Sequence, residues 1–208
     1  SYEPGSIFKP IVAAAALDKE LARPQDVYFC ENGKLKIGNT TIGEASNHKF
    51  GWMTMSDIIA KSSNIGVVKI AQQVGKKSFH EYIRKFGFGE KSGLSLPGES
   101  AGQLKAQQNW SILSLASISF EHEIAVTPIQ MVSALSAMDN GGNLMEPHIT
   151  KAIIKNGKVV QQIKPKKIHR VISEKASLQM VGILTSVVET GTGKKAALDG
   201  FDVAGKTG

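Results

Sequence analysis

The chain is short of the residues that would commit it to several common designs. Cys30 is its one cysteine in 208 residues, which excludes an intramolecular disulfide and leaves the redox compartment open. No stretch approaches the roughly 18 apolar residues of a membrane span, and the run over 11–17 is too short and poorly flanked for a signal peptide. The chain as given is therefore expected to be soluble. Its five histidines, His48, His80, His122, His148 and His169, show no metal-ligand spacing, so neither a metal nor any other cofactor is expected. Aromatic residues are absent from the densest basic run, 164–170. The net charge of +7 is accordingly read as a solvated face, and no nucleic-acid partner is expected. A phosphate loop is hinted at by Gly191-Thr192-Gly193-Lys194-Lys195. It fails because Lys195 stands where Ser or Thr is required and Val188 where the first glycine belongs. There is no internal repeat and no low-complexity block.

What is present is a set of three short motifs in a fixed order. Ser6 and Lys9 form a Ser-x-x-Lys near the start, where Pro4 and Gly5 punctuate and an alanine-rich run follows. A helix capped by Ser6 would carry the hydroxyl and the amine on one face, a turn apart. Backbone N–H groups at such an end favour the negative charge of a developing nucleophile. The pair alone says little, because Ser46 and Lys49 repeat it in a loop-like stretch. Ser62-Ser63-Asn64 supplies a Ser-x-Asn, however, and Lys206-Thr207-Gly208 a Lys-Thr-Gly. Their bland readings are an interhelical turn and an unstructured tail. A serine hydroxyl needs a base, and Lys9 can serve if burial or a neighbouring positive charge such as Lys206 depresses its pKa.

The three motifs together are the signature of penicillin-binding proteins and the related β-lactamases. The chain resembles the transpeptidase domain of a monofunctional (class B) penicillin-binding protein, a peptidoglycan D,D-transpeptidase of division or elongation and cell shape. The likeness runs through Tyr2-Glu3-Pro4-Gly5-Ser6, Phe86-Gly87-Phe88-Gly89, Leu96-Pro97-Gly98-Glu99 and Val126-Thr127-Pro128-Ile129-Gln130. It continues in Asn140-Gly141-Gly142, Gly191-Thr192-Gly193 and Val203-Ala204-Gly205-Lys206-Thr207-Gly208. One departure is Ser119-Phe120-Glu121-His122-Glu123, where the family is often glycine-rich. The resemblance implies that Ser6, Lys9 and Ser62 are catalytic and that Asn64, Lys206, Thr207 and Gly208 bind substrate. It implies D-Ala-D-Ala stem peptides as substrate, β-lactam antibiotics as inhibitors and other cell-wall synthesis proteins as partners. It also implies the outer face of the bacterial cytoplasmic membrane, reached through an N-terminal anchor not in this chain. Residues 1–208 are expected to be one transpeptidase domain, truncated before the Ser-x-x-Lys helix and after Lys-Thr-Gly, where the family places further strands and a second oxyanion donor. Rival readings with the same pocket are a serine β-lactamase, for which no deacylation base is evident, and a β-lactam-acylated sensor or non-catalytic scaffold.

Periodicity and punctuation predict an α+β domain dominated by helices. Strands are expected over 27–30 and 34–37, joined by a hairpin at Asn32-Gly33. Helices are expected from Thr54 to Ala60, from Ile65 to Gly75, through Phe79 and Phe86 to a Gly87 cap, over 110–118 and over 128–138. A loop over 96–108 could line a groove, and Asn156-Gly157 predicts a second hairpin. Ser173 should cap a helix with Leu178, Val181, Leu184 and Val188 on one side. Residues 191–200 read as mobile by composition and 201–208 as a strand.

Overall fold

The structure, a computed structural model, describes residues 1–94, 96–120 and 122–208, so Glu121 of the departing stretch lies outside it. Its organising element is α1 (Lys9–Asp18), in which every residue from Lys9 to Leu17 is buried. Four consecutive alanines, Ala13 to Ala16, explain how a helix can be enclosed on all sides: they favour the helix and let neighbours approach closely. Pro10 fits the first turn, where its missing N–H has no intrahelical partner to lose. A 3-10 turn, Gly5–Phe8, precedes α1, with Gly5 in the left-handed region (φ 62). Ser6 thus lies inside this turn, whose cap position is Pro4, and is not the helix cap that the sequence suggested.

Beyond α1 come β1 (Val27–Phe29), β2 (Lys34–Ile37), β3 (Thr40–Gly43), β4 (Trp52–Thr54), α2 (Met55–Ala60), α3 (Asn64–Val74) and α4 (Lys76–Lys85). There follow β5 (Gln103–Leu104), α5 (Ser114–Phe120), β6 (Ile124–Ala125), α6 (Pro128–Asp139), β7 (Asn143–Met145), β8 (Ala152–Lys155), β9 (Lys158–Gln162), β10 (Lys167–Arg170) and α7 (Glu174–Glu189). Helices α2, α3, α4, α5 and α7 pack on α1, and the short strands form two-stranded antiparallel pairs around this core. The chain is therefore α+β and helix-dominated, as predicted. Among the described residues no helix is long and apolar enough to cross a membrane.

Several local expectations change. Strand β1 pairs with β4, while β2 pairs with β3 through the two-residue turn Gly38-Asn39. Asn32-Gly33 instead belongs to the 3-10 turn Glu31–Gly33, with both residues at positive φ. Gly33 is held there because a Cβ would meet the His48 carbonyl at 2.5 Å. Helix α7 is capped by Ser173, whose hydroxyl accepts from Ala176 N at 3.2 Å, as expected. Of the expected face Leu184 and Val188 are buried, but the buried side is completed by Ala176, Ser177, Met180, Ile183 and Val187, and Leu178 is 70 % exposed. Residues 191–193 are tied to the helices: Thr192 N donates to Ala60 O (3.0 Å) and Gly193 N to Val187 O (2.8 Å). A Cβ on Gly191 would lie 2.2 Å from Ala60 O, so only glycine permits this approach to α2. Residues 201–208 form no strand; they run beside α7, with Gly205 N donating to Leu184 O (3.1 Å), and no strand pairs with them among the described residues.

Candidate active site

The Ser-x-x-Lys turn leads into the buried helix α1, which places Lys9 at the centre of the domain with its amine aimed at the turn between α2 and α3. Lys9 is fully buried, as expected of a lysine that must act in a water-poor site. Its Nζ donates to Ser62 O (2.6 Å), Ser62 Oγ (3.1 Å) and Asn64 Oδ1 (2.6 Å). Helix α2 begins at Thr54, whose hydroxyl accepts from Asp57 N (3.1 Å), and ends just before Ser62-Ser63-Asn64. Ser62 is held at φ 61, a left-handed conformation that costs a non-glycine residue about 1–2 kcal/mol. Ser63 then caps α3, its hydroxyl accepting from Gly66 N at 2.9 Å. The bend presents Ser62 Oγ and Asn64 Oδ1 to Lys9.

Lys206 approaches the same hydroxyl from the other side. Its Nζ donates to Ser62 Oγ (3.0 Å) and to Thr207 O (2.7 Å), and burial pushes its pKa down to about 8. Ser62 Oγ therefore sits between two lysine amines. A hydroxyl has two lone pairs and one proton, so it can accept from both and still donate. Thr207 bonds Thr192 through their hydroxyls (2.5 Å), and Thr192 is anchored on α2 through Ala60 O. Gly208 lies against the Ser6 turn: a Cβ there would meet Ile7 Cγ2 at 2.8 Å and Ile7 N at 3.5 Å.

These contacts bring the seven sequence-predicted residues to one place. Lys9, Ser62, Asn64 and Lys206 are joined by hydrogen bonds, while Ser6, Ser62, Thr207 and Gly208 line one cleft. The same cleft is lined by Ser46 and His48, so the second Ser-x-x-Lys also opens onto it. Two neighbours were missed from the sequence. Thr192 sits in a glycine-rich stretch, and its hold on Thr207 depends on a contact across 15 residues. Glu44 carried no local signal, yet it is a buried carboxylate (8 % exposed) bonded to Ser63 and Asn64.

Comparison with known proteins gives the same picture over the whole chain. The family model for the penicillin-binding-protein transpeptidase domain matches residues 1–208. The chain is 35% identical to penicillin-binding protein PbpB of Mycolicibacterium smegmatis, covering 100% of this chain and 33% of that protein. It is 37% identical to stage V sporulation protein D of Bacillus subtilis, covering 100% and 32%. The chain thus spans about a third of the length of the curated relatives it matches. Among solved structures, penicillin-binding protein 3 of Mycobacterium tuberculosis, complexed with ampicillin, superposes with a TM-score of 0.90 at 33% identity, covering 100% of this chain and 47% of that one. By sequence, by fold and by the motifs that meet in its cleft, the chain belongs to the penicillin-binding-protein transpeptidase domain family.

Proposed function

We propose that this domain carries the acyl-transfer chemistry of a peptidoglycan D,D-transpeptidase. The observation that supports this most is the placement of Ser62 Oγ between Lys9 Nζ and Lys206 Nζ, at 3.1 and 3.0 Å, on the wall of the cleft that holds Ser6. Ser6 Oγ attacks the carbonyl carbon of the D-Ala-D-Ala bond, and its proton passes to Lys9 in its neutral form, which keeps two of its three donations and turns its lone pair to the hydroxyl. The C–N bond breaks, and the departing amine takes a proton from Ser62, which is resupplied by the lysine ammonium it touches. A D-alanine leaves and a Ser6 ester remains. The amine of a second stem peptide attacks this ester, the same proton path runs in reverse, and Ser6 regains its hydrogen as the cross-link forms. Asn64 lies beside Lys9 and offers its amide to Lys9 and to the substrate backbone, while Lys206 and the paired hydroxyls of Thr207 and Thr192 hold the terminal carboxylate. Gly208, packed on the Ser6 turn, closes the carboxylate end of the cleft. A β-lactam enters the same path and stops at the ester. The parent protein acts outside the cytoplasmic membrane with other wall-synthesis proteins.

Incubation with a D-Ala-D-Ala peptide and an amine acceptor tests the reading. Release of D-alanine with formation of the cross-linked peptide supports it. Acylation without turnover indicates a binding-only domain, and sustained hydrolysis of a β-lactam with no cross-linking of the peptide indicates a β-lactamase.

A further inference from the structure

Glu44 is a buried carboxylate that the proposed chemistry does not use, and its surroundings give it a specific task. One oxygen accepts from Ser63 Oγ (2.5 Å) and Ile65 N (3.4 Å), the other from Asn64 N (2.6 Å). These donors are the first turn of α3, where unpaired N–H groups and the helix dipole favour a negative charge. Burying a carboxylate is costly unless it is bonded in this way. The preceding residue completes the grip, because Gly43 O accepts from Asn64 Nδ2 (3.0 Å). That bond fixes which way the Asn64 amide faces: Nδ2 toward Gly43, and hence Oδ1 toward Lys9 Nζ.

Resting on the reading of Lys9, Ser62 and Asn64 given above, we propose that Glu44 is a positioning residue for acyl transfer. It sets the Ser62-Ser63-Asn64 turn against Lys9 by clamping the residues just after the strained Ser62. Strand β3, which ends at Gly43, anchors the clamp by its pairing with β2. Glu44 itself neither gives nor takes a proton in the reaction. Its effect travels through the register of Ser62 Oγ and Asn64 Oδ1.

The test compares the chain with its Glu44→Gln and Glu44→Asp variants by two measurements. Amide hydrogen exchange reports Asn64 and Ile65 directly, and the acylation rate by labelled penicillin, counted per acylable molecule, excludes any loss through unfolding. In Glu44→Gln the NH2 group must face either Asn64 N–H, or Ile65 N–H together with the Ser63 hydroxyl, and a backbone N–H cannot accept, so one of the two backbone bonds is lost. Exchange at Asn64 or at Ile65 should speed up at least tenfold while Val68 and Ile70 keep their protection. Acylation should fall about 10²-fold, the scale of an ångström-sized misplacement. Glu44→Asp keeps the charge with a shorter reach, so it should recover part of the rate; it also provides the exchange measurement should Glu44→Gln fail to fold. Unchanged exchange, or an unchanged rate per acylable molecule, overturns the proposal. If the unsubstituted chain is not acylated, the transpeptidase reading falls instead, and exchange alone decides whether Glu44 holds the turn.

Discussion

Lys9 and Lys206 have the same side chain and touch the same hydroxyl, but their surroundings assign them different work. Lys9 is enclosed by protein and faces Ser62 and Asn64, while Lys206 is half-buried at the cleft wall beside Thr207. Arginine keeps the charge of Lys9 but cannot surrender a proton. The Lys9→Arg variant should therefore lose penicillin acylation by about 10²–10⁴-fold, the usual contribution of a positioned base. A variant that acylated at the original rate would reduce Lys9 to an electrostatic or packing role. For Lys206 the prediction is a pH limb. Burial has lowered its pKa to about 8, so its ammonium is present below that pH and is lost as the pH rises through it. The second-order acylation constant, which reports the free enzyme, should fall above pH 8 for a carboxylate-bearing β-lactam. In Lys206→Arg that limb should vanish, since arginine stays charged; a limb unmoved by the substitution would mean that another group titrates.

At the scale of elements, the decisive contact is the close approach of α2 and α3 on either side of the Ser62 turn. Gly66 permits it, because a Cβ there would meet the Ile58 side chain at 2.5 to 2.8 Å, and Ile58 is fully buried. Gly66→Ala should destabilise the domain by about 1–3 kcal/mol through overpacking, measured by denaturant unfolding. It should also slow acylation of the folded fraction, because the two helices carry the turn between them. Helices were legible in the sequence where punctuation and cap agreed, as at Thr54, Ser173 and Gly87. The box formed by Thr127 and Gln130 is complete on both sides. Pairings were less legible. Gly38-Asn39 and Asn32-Gly33 are both turn dipeptides, and what chose between them was the packing of Gly33 on the backbone of His48, a contact no local pattern announces.

For the whole molecule, the recognisable part of the site is the part written in short motifs. Lys9, Ser62, Asn64 and Lys206 were named from spacing and order, and the fold joins them over up to 144 residues of sequence separation. Glu44 belongs to no patterned stretch, and the glycine-rich pattern around Thr192 does not show that its hydroxyl holds Thr207, since each acts through a partner distant in sequence. Two serines compete for the role of nucleophile. Ser6 and Ser46 each begin a Ser-x-x-Lys, and both line the cleft. Only Ser6 stands at the entrance to the buried helix that carries Lys9. The most direct measurement is intact mass after labelled penicillin, followed by peptide mapping of the adduct. One penicilloyl group on Ser6, lost in Ser6→Ala and kept in Ser46→Ala, is the predicted result. An adduct on Ser46, or one that survives Ser6→Ala, would contradict the assignment of the nucleophile.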